Sequence, residues 1–204
     1  PIPEKVMKVY STLDESTIDK YSLKKIKEYY EKQGYSFKEK DIKMKIRVGF
    51  GFDVHQLVEG RELWLGGILL EHEKGLLGHS DADVLIHAVM DSILGALALG
   101  DLGKFFPPSD ESIKGIASSK IAEFAVSKMF EQNYKINNID CSIVLESPKL
   151  AKYMDEIKTN IAKLLFTDIT NVSIKAGTNE KIGELGQGKA IQCFSMVMLV
   201  SDNK

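Results

Sequence analysis

Residues 81–99 constrain the fold of this chain more than any other segment. They read as one helix closed by Gly100, with Val84, Leu85, Val89, Ile93, Leu94 and Leu97 making it apolar nearly all round. A helix of that kind belongs inside a domain, covered on every side. Yet Asp83, His87 and Asp91 follow one another at i, i+4 and i+8, which lines them up in one polar stripe. Charge that is buried without partners is costly, so the fold has to bring partners to this stripe. Ser80 is expected to cap the helix, with Asp83 three residues on as the acidic member of a capping box.

The neighbouring segments suggest what covers it. Residues 46–54 alternate and are rich in β-formers, which predicts a strand. Residues 62–65 and 68–70 flank Gly66-Gly67, a hairpin signal. An amphipathic helix is expected over 118–132 and a strand over 139–145. Pro148 is expected to open a third helix reaching about Phe166, in the first-turn place that proline favours. Strands over 172–176 and 191–200 complete the pattern, with Phe194, Met196 and Met198 read as core. Strands alternating with helices predict an α/β sandwich around a mixed sheet.

Composition narrows the function. The chain has 204 residues, 44% hydrophobic and 27% charged, enough to bury a core. Its longest uncharged run, 190–201, is shorter than the ~20 residues that a membrane span needs. A net charge of −2 offers no basic field for a phosphate backbone, which argues against a nucleic-acid partner. Cys141 and Cys193 lie far apart in apolar runs and read as buried thiols, not as a disulfide or a CxxC metal site.

Residues 1–44 carry 10 lysines and no arginine against 8 acidic residues, with few large aliphatics. They are expected to form a non-catalytic extension with a short helix over 23–32, ahead of a catalytic domain over 45–204. Because the chain opens on Pro1, a trimmed N-terminus is expected, with any targeting peptide out of view.

Three of the four histidines fall in two polar clusters. In Asp53-Val54-His55, at the end of a strand, residues i and i+2 point to one face, so a carboxylate and an imidazole converge. The second cluster is Gly78-His79-Ser80-Asp81-Ala82-Asp83 with His87 beyond it. Spacing alone leaves two readings open. One metal held by Asp53, His55 and His87 would have three N/O ligands of the kind zinc accepts and a fourth position for a substrate oxygen. Asp83 or Asp91 could then orient the His87 ring. Alternatively, His87 is a core histidine satisfied by its helix neighbours.

Three segments in order carry a resemblance: 51–55 (GFDVH), 75–88 (GLLGHSDADVLIHA) and 100–107 (GDLGKFFP). Over about residues 45–200 the chain resembles the 2-C-methyl-D-erythritol 2,4-cyclodiphosphate synthase family of the non-mevalonate isoprenoid pathway. The resemblance implies a lyase, built as a homotrimer of α/β domains with helices on one side of the sheet and active sites between subunits. It places zinc on Asp53, His55 and His87, and a second ion, magnesium or manganese, on Glu180. It assigns transition-state stabilisation to His79 and Thr178.

The implied substrate, 4-diphosphocytidyl-2-C-methyl-D-erythritol 2-phosphate, is cyclised with loss of CMP. Its methylerythritol phosphate end maps to Asp53, His55, His79, Ser80, Asp101, Leu102, Gly103, Phe106, Pro107, Pro108, Ser109 and Asp110. Its cytidine diphosphate end maps to Leu145, Glu146, Ser147, Pro148, Lys149, Leu150, Ala151, Gly177, Thr178, Asn179 and Glu180. The turn 100–103 is expected to offer bare backbone N–H groups to phosphate.

The chain departs from the family in three places. Ala82 replaces a common glycine, a change expected to cost little within a helix. Pro108 replaces an acidic residue in the substrate loop. Glu184, Gln187 and Lys189 stand where some bacterial members have Phe, Arg and Glu. The use of 25 lysines against 2 arginines, with many Ile and Asn, suggests an AT-rich genome. With the N-terminal extension, it suggests a protist plastid, bacterial cytoplasm being the alternative.

Overall fold

Strand β1 (Met44–Glu59) sends alternate side chains to opposite faces, and the two faces differ sharply. Ile46, Val48, Phe50, Phe52 and Val54 point outward and are 43–59% exposed. Gly49, Gly51, Asp53 and His55 occupy the other face, against helix α1 (Val84–Ala96). The glycines are needed there. A Cβ on Gly49 would lie 1.8 Å from the Ser92 carbonyl oxygen, and one on Gly51 would lie 1.9 Å from that of Ala88. Strand and helix therefore touch backbone to backbone.

In this computed structural model, residues 29, 31–34, 44–107, 109–110 and 115–202 are described. The contacts divide the chain into two units, Pro1–Ile42 and Lys43–Lys204. In the first, Tyr29, Glu31 and Lys32 are helical and Gly34 N–H donates to the Glu31 carbonyl at 3.0 Å. The rest of the expected 23–32 helix lies outside the described residues.

In the second unit, β1 is followed by the hairpin β2 (Leu63–Leu65) and β3 (Ile68–Leu70), then β4 (Lys74–Leu76). After α1 come a single turn α2 (Leu102–Phe105), helix α3 (Ser118–Glu131) and strand β5 (Lys135–Val144). Helix α4 (Met154–Leu164) leads to β6 (Val172–Gly177), a turn α5 (Gly183–Gly186) and the long β7 (Ala190–Asp202). The main sheet has the order β4-β1-β7-β5-β6. Among the described strands only β5 and β6 pair in parallel, so the sheet is mixed, as expected. No helix among the described residues is long and apolar enough to cross a membrane.

Helix α1 packs on β1 and β7 on one side and on α3 on the other, which explains why it is apolar nearly all round. In α3, Ile121, Ala122, Ala125, Val126 and Met129 face the core, while Lys120–Glu123 and Lys128–Glu131 pair on the surface. Cys141 and Cys193 are buried and free. Burial pushes the Cys141 thiol up to about 12, so it stays protonated and inert.

Four expectations need correction. The helix begins at Val84, and its N-cap is Asp83, whose carboxylate accepts the Ile86 N–H at 3.0 Å. Ser80 Oγ instead accepts the Ala82 N–H at 3.0 Å in a local turn. Ala82 consequently lies outside the helix, fully buried at φ 59°, where glycine is favoured and alanine is strained by about 1–2 kcal/mol. Pro148 follows a cis peptide bond and does not open a helix; α4 starts six residues later. Its true signal is Asp155-Glu156 in the first turn, where acidic groups complement the helix dipole. Finally, Met196 is 53% exposed. Phe194, Met196 and Met198 lie on the outward face because they pair with Phe52, Phe50 and Val48.

Candidate active site

The inward face of β1 ends in Asp53 and His55, and α1 brings His87 over them. Asp53 Oδ2 lies 2.9 Å from His55 Nε2 and 3.0 Å from His87 Nδ1, and the two nitrogens are 3.2 Å apart. Asp53 Oδ1 accepts the Val54 N–H at 2.9 Å, which turns Oδ2 toward the rings. On its far side, His55 Nδ1 donates to the Leu77 carbonyl at 2.7 Å, leaving Nε2 as the inward atom. Gly78 makes room for this ring, since a Cβ there would sit 3.2 Å from His55 Cε1.

Two imidazole nitrogens and a carboxylate oxygen in such proximity repel one another unless a proton or a metal sits among them. Burial alone would raise the Asp53 carboxyl. The hydrogen bonds and charges of His55 and His87 overcome it and hold the group well below the usual carboxylate range. For His55, burial favours the neutral ring, but Asp53 outweighs it and raises the pKa. The donor set also suits zinc. Bonds of about 2.0–2.1 Å in a tetrahedron put ligand atoms about 3.3 Å apart, close to the separations here. Among the described residues, Asp53, His55 and His87 form the one cluster of three such groups.

The remaining polar groups of α1 do different work from that expected. Asp83 is fully buried and accepts N–H groups from Gly66 at 2.9 Å and Gly67 at 2.6 Å as well as from Ile86. It ties the β2–β3 hairpin to the start of α1 and makes no hydrogen bond to the His87 ring. Desolvation raises its pKa, against the pull of those three N–H groups. Asp91 accepts the Leu102 N–H at 2.8 Å, seating the α2 turn. His87 Nε2 instead faces Ser118 Oγ at 3.0 Å and Ser80 Oγ at 3.3 Å. Ser118 Oγ in turn donates to Asp81. Nothing in the spacing of the sequence marks Ser118. Arg61, one of two arginines in the chain, donates to the Ser80 carbonyl at 2.9 Å and was legible only as a rarity.

The other implied positions fall in two groups. Near Asp53, His55 and His87, Ser80 is within reach of the His87 ring; the His79 side chain, one residue earlier, is exposed, and its carbonyl accepts the Gly115 N–H. Asp101 caps α2 by accepting the Lys104 N–H at 3.1 Å. With Leu102 N–H given to Asp91, the turn 100–103 therefore has fewer bare N–H groups than expected. Phe106 packs edge-on against Phe124, and Asp110 N–H donates to Pro107. Ser109 is exposed in the same loop; Pro108 lies outside the described residues.

The second group gathers at the ends of β5 and β6. Leu145 N–H donates to the Gly177 carbonyl, and Glu146 accepts the Asn179 N–H at 3.1 Å and Lys181 Nζ at 2.7 Å. Thr178 Oγ1 donates to Glu180 Oε1 at 2.6 Å, with Glu180 at φ 50°. Ser147, Lys149 and Ala151 are exposed and Pro148 is half-buried. Leu145 and Leu150 point into the core, so only their backbone can meet a ligand. The register places Asp53, Cys193, Ile143 and Ala176 in one row. Two strand spacings to β5 and three to β6, about 10 and 14 Å, thus separate the two groups within one chain.

A model of the YgbB family matches residues 46–200, and one described as a domain of unknown function (DUF8824) matches residues 11–43. A 2-C-methyl-D-erythritol 2,4-cyclodiphosphate synthase of Clostridioides difficile is 53% identical over 160 residues, 78% of this chain and 99% of that one. The synthase of Desulfitobacterium hafniense is 54% identical, covering 76% and 98%. Among solved structures, the bifunctional IspDF from Campylobacter jejuni superposes with a TM-score of 0.75 at 37% identity, over 78% of this chain and 43% of that one. IspF of Plasmodium falciparum, in complex with CDP, gives 0.68 at 35%, over 78% and 97%. The protist-plastid expectation is overturned here. The bacterial relatives are far more similar than the Plasmodium protein, and a lysine- and isoleucine-rich composition reflects base composition, which bacteria share. On its sequence, its sheet and its cluster of Asp53, His55 and His87, the chain belongs to the YgbB family, the 2-C-methyl-D-erythritol 2,4-cyclodiphosphate synthases.

Proposed function

We propose that the site closes a cyclic diphosphate by holding two phosphates of one substrate in line, with the chain's own residues acting as positioner and clamp. The enzyme is a lyase of isoprenoid biosynthesis that converts 4-diphosphocytidyl-2-C-methyl-D-erythritol 2-phosphate into 2-C-methyl-D-erythritol 2,4-cyclodiphosphate and CMP. The 2-phosphate attacks the β-phosphorus and CMP leaves. A phosphate monoester with a second pKa near 6 is largely dianionic at pH 7, so no general base is required. What limits the reaction is the repulsion of anions and the entropy of folding the substrate back on itself. Positioning can contribute roughly 7–11 kcal/mol against that.

Asp53, His55 and His87 would hold zinc, and Glu180, a single hard oxygen ligand beside the diphosphate, suits a magnesium or manganese ion that keeps its waters. Bound there, these ions supply Lewis-acid polarisation of the attacked phosphate and neutralise charge on the leaving group. His79, exposed and next to Ser80 in the chain, and Thr178, whose hydroxyl is oriented by Glu180, hold the reacting phosphates. Asp101, with the Phe106–Asp110 loop, frames the methylerythritol end. The loops 145–151 and 177–180 receive the cytidine diphosphate.

The two halves of this site belong to neighbouring subunits of a homotrimer. Two observations support that reading. The halves stand about 10–14 Å apart in one chain, two to three strands from each other. The outward row Ile46, Val48, Phe50, Phe52, Val54 and Met196 is an exposed apolar face of the kind that commonly marks a contact surface.

The convergence of Asp53, His55 and His87 carries the proposal, and phosphorus NMR of the product mixture tests it. Cyclic diphosphate and CMP, with no oxygen taken from solvent, are expected. Linear phosphates carrying solvent oxygen would instead identify a zinc phosphodiesterase. Mixed His87→Ala and Thr178→Ala subunits, each inactive alone, should regain activity in hybrid trimers. Silence in hybrids verified by mass spectrometry would place the whole site within one chain.

A further inference from the structure

We propose that Asp81 and Ser118 are positioning residues that hold the His87 ring in the tautomer presenting a bare Nδ1 to the Asp53–His55 cluster. Ser118 is the first residue of α3 and is completely buried. Its backbone N–H donates to Asp81 Oδ2 at 2.8 Å, and its hydroxyl donates to Asp81 Oδ1. Asp81 Oδ1 also accepts the Asp83 N–H at 3.2 Å, and Asp81 N–H donates to the Ile116 carbonyl at 3.3 Å, so the carboxylate is pinned from several directions.

The direction of these bonds decides the tautomer. A carboxylate only accepts, so the single proton of the Ser118 hydroxyl is committed to Asp81. What Ser118 turns toward His87 Nε2, at 3.0 Å, is a lone pair. A lone pair there requires Nε2 to carry the proton, which leaves Nδ1 bare. Ser80 Oγ, at 3.3 Å from the same nitrogen, can accept from it as well.

An opposing pull acts on the ring as well. Asp53 Oδ2 lies 3.0 Å from Nδ1 and would draw the proton to that nitrogen, where it blocks the metal-facing lone pair. The Asp81–Ser118 pair counters this pull from the far edge of the ring. Histidine ligands generally need such an outer partner, whose loss costs about 10–100-fold in metal affinity. For His55 the partner is the Leu77 carbonyl, which mutation cannot remove. For His87 it is two side chains, so its contribution is measurable.

The test uses the full chain with Ser118→Ala and Asp81→Asn. The second variant keeps the shape of the side chain but leaves one acceptor oxygen where three donors converge. In metal-free wild-type protein at pH 8, proton–nitrogen correlation spectra should show His87 protonated at Nε2. Both variants should shift the proton toward Nδ1, and zinc competition against a chromophoric chelator should show affinity about 10–100-fold weaker. Folded variants that keep the Nε2–H form and wild-type zinc affinity overturn the proposal. So does a fall in melting temperature with no change of tautomer, because it assigns the pair a purely structural role. If Ser118→Ala does not fold, Asp81→Asn alone decides. The proposal rests on reading Asp53, His55 and His87 as metal ligands. If the wild-type protein binds no zinc, that reading falls, while the tautomer of His87 still decides the relay.

Discussion

Replacing Gly51 with alanine adds one methyl group at the point where strand β1 and helix α1 meet. Its Cβ would lie 1.9 Å from the Ala88 carbonyl oxygen and 2.6 Å from Ser92 N. These are backbone atoms of a buried helix and cannot swing aside. A comfortable C···O approach is about 3.3 Å, so the two elements must part by roughly 1.4 Å. Asp53 is two residues along the strand from the insertion, and His87 precedes Ala88 on the helix, so the gap opens between two members of the Asp53–His55–His87 cluster. A binding constellation tolerates only about 0.5 Å of misplacement.

Overpacking of this kind costs about 1–3 kcal/mol, which a domain of ordinary stability survives. Gly51→Ala should therefore fold, melt several degrees lower, and bind zinc at least about 100-fold more weakly, beyond the usual effect of losing an outer-sphere partner. The assay pairs a thermal melt with zinc competition. A well-folded variant with unchanged zinc affinity would show that strand and helix do not set the ligand spacing.

Asp83→Ala strips the partners from three N–H groups, two of them at the β2–β3 turn and one at the helix start. A lost cap and the unsatisfied buried donors together should cost about 3–5 kcal/mol; a loss under about 1.5 kcal/mol in denaturant melts contradicts the role given to this carboxylate. In metal-free protein, the pairing of Asp53 with His55 contributes fully above 3.8, the ordinary value of the depressed carboxyl, and is lost progressively as pH falls below that toward its folded value. The raised His55 contributes fully below 6.5, and its part fades as pH rises through its folded value. Metal-free stability should thus decline from mildly acidic toward alkaline pH, while zinc affinity rises over the same range as the ligands shed protons; parallel trends in melts and titrations would contradict this. Deleting residues 1–44 should leave kcat/KM within about tenfold, some 1.4 kcal/mol, and a larger fall would make the extension part of the catalyst.

Much of this protein was readable along the chain because its signals are local. The alternation of β1, the Gly66-Gly67 turn and the all-round apolarity of α1 reflect backbone geometry and burial, which a single segment encodes. The cluster that could hold a metal was legible in part, since Asp53 and His55 share a strand face and His87 lies on a polar stripe that demanded a partner. Where an element begins is encoded less well. Ser80 and Asp83 are both good caps, and only the hairpin amides that converge on Asp83 choose between them. Likewise, Pro148 suits a helix start as well as the turn it occupies.

Long-range contacts were out of reach for a more basic reason. Ser118 meets His87 across α3 and α1, and Arg61 meets Ser80 across a loop; no periodicity records such meetings. Phe194 and Met196 have core composition, but their pairing with β1 puts them on the outward face. Hydrophobicity encodes the need for burial, and only the pairing of the whole sheet decides which face of a strand the chain's own core covers.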